Sequence, residues 1–415
     1  MTLPDSVTLS IAELAGDLRE GLLAFVVGAG MKTLDVLLEA DVTALAGPKG
    51  RHDPNRTALR HGTDDGLVTL GGRQVAIRRP RLRTADKSAE VALPTYEWAS
   101  STELLGQETL GRMLANLSTR HYVVGLEPMG ADVAKRTRSV SKSAVSRRFV
   151  AMTESALAEL MTADLSALDL VAIMIDGAKF GDHLLVVALG IAVDGTKHPL
   201  AVVEGDTENA TVVKRLLVGL RDRGLDVTKP TLFVIDGSSA LPPAIKAVFD
   251  HPVIGRCVEH KVRNVRRHLP KDVARVVERR MRAAYRNPDA LAGQGDLEAL
   301  AKELQRPHPG AAASLREGLA ETFTISRLGV PPTLARTLRS TNAIESMIDI
   351  SKTHSRNVKR WRDGTMALRW CAAGMVEAKK QFHRVQGYLH LSELRAAVEA
   401  AATPADHPSQ KEVAA

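Results

Sequence analysis

Hydrophobic and polar positions divide the chain into stretches of different period. Val7–Glu20 and Leu34–Ala46 place apolar residues three and four apart, the spacing of an amphipathic helix. Gly66–Pro80 instead alternates apolar and polar residues around Gly71-Gly72, a pair that closes two-residue hairpins. Helical spacing returns over Thr109–Val124 and Lys142–Leu160. At Asp169 the texture changes. Leu170–Ile175 is a continuous apolar run, followed by Leu184–Val193, an Asp194-Gly195 turn and Pro199–Val203, which together predict three consecutive strands. Asn209–Arg223 gathers Val212, Val213, Leu216, Leu217 and Leu220 on one helical side. Leu232–Ile235 is another short apolar run, and Pro242-Pro243 opens a helix over Leu241–Phe249. Continuous apolar runs mark strands covered on both faces, so this order, β-β-β-α-β-α, predicts an α/β sandwich core.

From Arg256 to Gly329 the pattern is mostly helical, with breaks at Asn287-Pro288 and Pro307–Gly310, and reads as an insertion within the core. Helix resumes over Ser340–Lys380. The chain therefore divides into a helical and hairpin region (1–95), a helical region (96–165), the core (166–385, with its insertion at about 256–335) and a C-terminal helix with a polar, disordered tail (386–415).

Composition is ordinary for a globular protein, and the length suffices for two or three domains. Charge changes the picture more. Fifty-six Lys and Arg against 48 Asp and Glu give a net charge of +8 and a pI near 9.5, which suits a polyanionic partner such as nucleic acid. Between Arg256 and Arg286 stand eleven Lys/Arg and three acids, so one segment holds a surplus equal to that of the whole chain. Smaller basic stretches lie at Arg73–Arg83, where edge protection and DNA contact are equally good readings, and at Lys352–Arg369. Two cysteines exclude a disulfide framework and fit a reducing cytoplasm. The N-terminus, with Asp5 and Glu13, does not read as a signal peptide, and Leu22–Met31 is too short an apolar run to span a bilayer. No membrane segment is expected.

Candidate chemistry begins with two apolar runs that finish alike, Met174-Ile175-Asp176-Gly177 and Val234-Ile235-Asp236-Gly237. Neighbouring parallel strands would bring both carboxylates to one sheet edge. Paired carboxylates repel unless a cation compensates, and hard oxygen ligands favour Mg²⁺ or Mn²⁺. The competing reading is a pair of Asp-Gly turns, of which the chain has others at Asp65, Asp194 and Asp363. Glu345 is the third candidate carboxylate. Its spacing from Asn342 also fits a helix capping box.

Four segments in order carry a resemblance: Asp176-Gly177; Val234-Ile235-Asp236-Gly237-Ser238-Ser239 with Pro243–Phe249; Arg256-Cys257-Val258-Glu259-His260-Lys261-Val262-Arg263-Asn264; and Ser340-Thr341-Asn342-Ala343-Ile344-Glu345-Ser346. Over residues 169–370 the chain resembles the catalytic region of Mutator-like bacterial insertion-sequence transposases, a DDE class. The resemblance implies an RNase H-like core interrupted by a helical insertion. It implies a catalytic and metal-binding triad of Asp176, Asp236 and Glu345, with two Mg²⁺ ions (Mn²⁺ also suits), acting in cleavage at transposon ends and strand transfer into target DNA. The partners it implies are terminal inverted repeats, target DNA and further copies of the chain in a dimer or larger assembly, at the bacterial nucleoid. A nuclease of the same fold that cuts without joining, and a DNA-binding regulator of transposase descent, are the alternatives.

Expected DNA contacts follow the cations. Arg256, His260, Arg263 and Arg267 recur along one helical face, with Lys261 beside them. His260 reads either as a contact to DNA or as a buried, hydrogen-bonded side chain. Cys257-x-x-His260 has the spacing of half a zinc site, but only Cys371 is left as a further thiolate. Lys352, Arg356, Lys359 and Arg360 follow Glu345, near Trp361, which reads as a base-stacking ring or a core anchor. Ser141 can cap a recognition helix that presents Arg147 and Arg148, as in a helix-turn-helix unit.

Overall fold

A computed structural model describes residues 21–51, 56–205 and 210–403; the helix expected over Val7–Glu20 and the polar tail beyond residue 403 lie outside the described residues. The chain forms two compact units, Met1–Glu154 and Ser155–Ala415.

In the first unit, α1 (Leu22–Ala46) sets Met31, Leu34, Leu38, Val42 and Ala46 on one stripe. The stripe packs on Val68, Val75, Ile77 and Leu82 of a hairpin, β1 (Ala58–Leu70) and β2 (Arg73–Thr84). The turn is the expected Gly71-Gly72, both at positive φ (56° and 77°), a conformation that carries no Cβ penalty in glycine. β3 (Glu90–Val91) pairs with β2. Two helices follow, α2 (Pro94–Ser100) and α3 (Thr102–Leu114). The helix expected over Thr109–Val124 is therefore displaced: α3 stops at Leu114, where Asn116 takes a left-handed φ of 68°, and turns continue to Leu126. Tyr122 in those turns is fully buried and donates its hydroxyl to Gly72 O (2.8 Å). α4 (Ala131–Lys135) and β4 (Thr137–Arg138), the latter paired with β2, precede α5 (Lys142–Thr162). Ser141 accepts from Ala144 N (3.3 Å), as expected of the cap.

The second unit is a mixed α/β fold. Its sheet has the order β7-β6-β5-β8-β9, with β5 (Leu170–Phe180), β6 (His183–Ala192), β7 (Lys197–Gly205), β8 (Thr231–Ile235) and β9 (Pro252–Arg256). β5, β6 and β7 are successive antiparallel neighbours, whereas β8 runs parallel to β5 and β9 parallel to β8. The three-strand start, the helix α6 (Ala210–Asp222), β8 and α7 (Leu241–Lys246) appear in the expected order. β9 was not expected.

Both faces of the sheet are covered, which is why its strands read as unbroken apolar runs. One face, with Ile173, Ile175, Phe233 and Ile235, packs on Val213, Leu216, Leu217 and Leu220 of α6 and Leu241 and Ile245 of α7. The other, with Val171, Met174, Leu232 and Val234, packs on four helices toward the C-terminus. These are α14 (Pro332–Leu338), α15 (Asn342–His354), α16 (Gly364–Lys380) and α17 (Leu391–Ala402).

Between β9 and α14 lies the helical insertion: α8 (Val258–Arg266), α9 (Lys271–Tyr285), α10 (Ala290–Leu304), α11 (Pro309–Arg316), α12 (Leu319–Thr322) and α13 (Thr324–Arg327). It has its own core, from Val258 to Phe323, including Val262, Val265, Met281, Leu300 and Leu315. No helix among the described residues is long and apolar enough to cross a membrane.

Candidate active site

The pairing of β5 with β8 ends at Ile175↔Ile235, so Asp176 and Asp236 occupy the next position on each of two parallel neighbours. One expectation needs correcting. Asp176 does not end its strand, because β5 stays paired with β6 as far as Phe180↔His183. The aspartates instead sit where the sheet parts between β5 and β8. Asp176 is 8% exposed and accepts only from its neighbour Gly177 N (2.8 Å) among the described hydrogen bonds. Burial raises its carboxyl to about 7, and the nearby Asp236 charge adds to the rise. His260 opposes that rise, and Glu345 contributes to it. Asp236 is half-buried and accepts from Ser238 N (2.9 Å), so the turn role anticipated for Asp-Gly pairs is also present at this residue.

β9 delivers the next group. Cys257 N donates to Ile235 O (2.8 Å), and Cys257 caps α8, with its Sγ 3.5 Å from His260 N. His260 thus stands on the first turn of α8. Thr341, fully buried, is the hub of the cluster. Its Oγ1 lies 3.1 Å from Glu345 Oε1, 3.2 Å from His260 Nδ1 and 3.4 Å from Cys257 Sγ. His260 Nε2 lies 3.5 Å from Glu345 Oε1. Hydrogen bonding to Cys257 holds His260 above its ordinary value against the opposing effect of burial, aided by the negative charges of Cys257, Asp176 and Glu345. Burial alone would raise the Cys257 thiol, but the hydrogen bonds from His260 and Thr341 bring it below its ordinary range. The capping box considered for Asn342 and Glu345 does not form. Thr341 is the N-cap, its side chain caps no backbone N–H, and its hydroxyl serves Glu345 instead. Among the described residues, no three His, Cys, Asp or Glu side chains are placed to enclose a metal ion, Glu345 being turned to Thr341 and His260.

Several expected DNA contacts are relocated. Arg256 ends β9 and is not on the helix. It is 7% exposed and clamped by Glu317 (3.0 Å) and Glu321, and its Nη1 donates to Gly237 O (3.3 Å). It braces the loop that carries Asp236 and has no surface to offer DNA. Lys261, 2% exposed, donates to Ser314 O (2.7 Å) and Glu317 O. Arg148 turns inward, its Nε donating to Thr109 Oγ1 (3.2 Å). Arg147, Arg263, Arg267, Lys352, Arg356, Lys359 and Arg360 are exposed. Trp361 packs edge-on against Phe180 (5.5 Å) and Trp370 (6.4 Å), as a core anchor. Cys371, on α16, is fully buried in the core that this helix shares with the sheet, a core that does not include Cys257, and burial pushes its thiol up to about 12, so the zinc reading has no second half. In the hairpin, Arg78 pairs with Asp65, and Arg79 and Arg81 with Glu90.

Residues 16–385 match the sequence profile described as "Transposase, Mutator family". The chain belongs to this family. Among curated relatives, a transposase for insertion sequence element ISRM5 from Rhizobium meliloti is 24% identical, over 86% of this chain and 89% of its own length. A probable insertion-sequence transposase from Corynebacterium diphtheriae is 27% identical over 51% of this chain, and the match spans 61% of that relative. A transposase for insertion sequence element IS6120 from Mycolicibacterium smegmatis is 30% identical, over 44% of this chain and 57% of the relative. All the site residues named above lie inside the region that this Mutator-family chain shares with the profile. Thr341 is the one that sequence reasoning passed over. It sits in the segment carrying Glu345, and its partners Cys257 and His260 are 84 and 81 residues away.

Proposed function

We propose that the protein is a DDE transposase with an RNase H-like catalytic core, cleaving DNA at the ends of an insertion sequence and transferring the freed strand into target DNA. The observation that carries this reading is the adjacency of Asp176 and Asp236 on neighbouring parallel strands, with Asp176 buried and raised to about 7. A buried carboxylate beside a second one is a site short of positive charge. Its donors are hard oxygens, which suit Mg²⁺ or Mn²⁺. Asp176 and Asp236 would hold two such ions, and Glu345 would complete the set by turning from Thr341. Ions held there would supply positive charge to the attacked phosphate and lower the pKa of an attacking water or hydroxyl.

The chain's own residues do the rest. Arg256 fixes the Gly237 carbonyl and with it the approach to Asp236. Thr341 positions His260 and holds Glu345 beside it until the carboxylate turns to the ions. His260, held toward its protonated form beside two carboxylates, donates to an oxygen of the scissile phosphate when the strand arrives. Both cleavage and joining are displacements at phosphorus, so one arrangement serves both. Arg263, Arg267, Lys352, Arg356, Lys359 and Arg360 receive the DNA backbone around the site, and Arg147 on α5 contacts the terminal repeats. A dimer or larger assembly brings two ends together at the nucleoid. The test uses labelled insertion-sequence ends with Mg²⁺. Asp176→Asn, Asp236→Asn and Glu345→Gln should each lose cleavage and strand transfer while end binding persists. Joining that survives in any of the three sinks the assignment of that residue, and wild-type protein that cuts without ever joining favours a plain nuclease.

A further inference from the structure

A cleft of about 740 Å³ opens where the insertion meets the sheet-bearing core, next to the segments that carry His260 and Glu345. That volume lies within the ~300–1,000 Å³ range of ligand sites. Its wall includes Val258, the first residue of α8, and Asn342, the first residue of α15, so two helix N-termini border it. Part of the lining is apolar, with Ile325, Val330 and Pro332. Arg282, Arg286, Arg336 and Arg339 all line the cleft. The one acid, Glu259, is taken up by Arg282 at 2.9 Å. Arg286 and Arg336 are exposed, and no carboxylate pairs with them among the described residues. Arg339 is half-buried, its Nε buried without a hydrogen-bond partner while Nη2 donates to Ser326 Oγ (3.1 Å). Burial lowers Arg339, with no acid to offset it. Three guanidinium groups without counter-charge call for an anion, and the apolar wall beside them calls for a flat, unpaired group.

We propose that this cleft takes an unpaired segment of the DNA strand beside the scissile phosphate, with its phosphates on Arg286, Arg336 and Arg339 and one base and sugar against the apolar wall. A duplex hides the faces of its bases, whereas a single strand presents both the charge and the apolar surface that the cleft is lined to meet. The inference rests on the reading that the protein acts on DNA, and adds a subsite for a melted nucleotide.

The test uses the full chain and a fluorescently labelled 12-nucleotide single-stranded DNA. Arg286→Gln/Arg336→Gln should bind it at least tenfold more weakly. The slope of log K against log salt should flatten by about 1.4, at roughly 0.7 per lost phosphate contact on a single strand. Arg221→Gln, an exposed arginine paired with Asp222, is the charge control and should bind as wild type does. Arginine modification by phenylglyoxal, mapped by mass spectrometry on wild-type protein, gives a readout free of folding effects: the single strand should protect Arg286 and Arg336. Unchanged affinity and slope in the double variant overturn the proposal. So does equal protection by inorganic phosphate or by a blunt duplex of the same strand concentration, which would leave an anion site only. Failure of the functional reading is separate: it shows as cleavage that survives Asp176→Asn, whatever the cleft binds.

Discussion

Asp176→Asn should make the metal-free protein more stable, and increasingly so as pH rises. The folded chain holds the Asp176 carboxyl at about 7, against 3.8 for the ordinary group, because it is buried beside Asp236. A raised carboxyl keeps its proton in the native state while the unfolded chain has released it. Native binding of protons therefore exceeds unfolded binding between roughly pH 4 and 7, and stability falls as pH climbs through that window. The penalty relative to a group that never ionises is about 2 kcal/mol near pH 5 and about 4 kcal/mol near pH 8, at ~1.4 kcal/mol per unit. Asparagine removes the charge and nearly keeps the shape. The gap between variant and wild type should thus widen by about 2–3 kcal/mol between pH 5 and 8, or roughly 5–10 °C in the melting of a unit this size. Scanning calorimetry in EDTA at the two pH values reads it directly. Mg²⁺ added at pH 8 should narrow the gap, by stabilising the wild type more than the variant. A gap that stays constant with pH, or a variant less stable at pH 8, would refute the claim that Asp176 is a strained acid.

Cys257→Ala should lower the His260 pKa, since hydrogen bonding to Cys257 is the largest cause of its rise, and the shift is measurable by following the imidazole nitrogens in an NMR pH titration. Arg256→Gln should destabilise the protein by about 1–3 kcal/mol, as loss of a buried partner does, yet leave the salt dependence of DNA binding unaltered. Neutralising Lys352, Arg356, Lys359 and Arg360 together should do the reverse, with melting temperature held and the salt slope on duplex DNA reduced by about 3–4. Gly181→Ala should cost about 1–3 kcal/mol, read by urea unfolding, because Gly181 has a φ of 62° and its added Cβ would run into Trp361.

What could be read from the residues followed from periodicity. Leu170–Ile175 and Leu232–Ile235 are buried on both faces, so their apolar runs announced two neighbouring strands and, with them, Asp176 and Asp236. β9 escaped because Pro252-Val253-Ile254-Gly255-Arg256 offers only two apolar side chains in an edge strand. Arg256 and Lys261 read as surface cations because charge usually is solvated. Their carboxylate and carbonyl partners, at Ser314, Glu317 and Glu321, stand more than fifty residues further on. Thr341 was invisible for the same reason, since a hydroxyl at a helix start looks like a cap until distant partners are placed around it.

The shared membership of α8 has an architectural consequence. Its first turn presents His260 to Glu345, while Val262 and Val265 are sealed into the insertion's interior. The nine-residue helix is thus a common wall of two rooms. The insertion is for that reason no ornament that could be trimmed from the sheet: cutting it away would take α8, and His260 with it, from the side of Glu345.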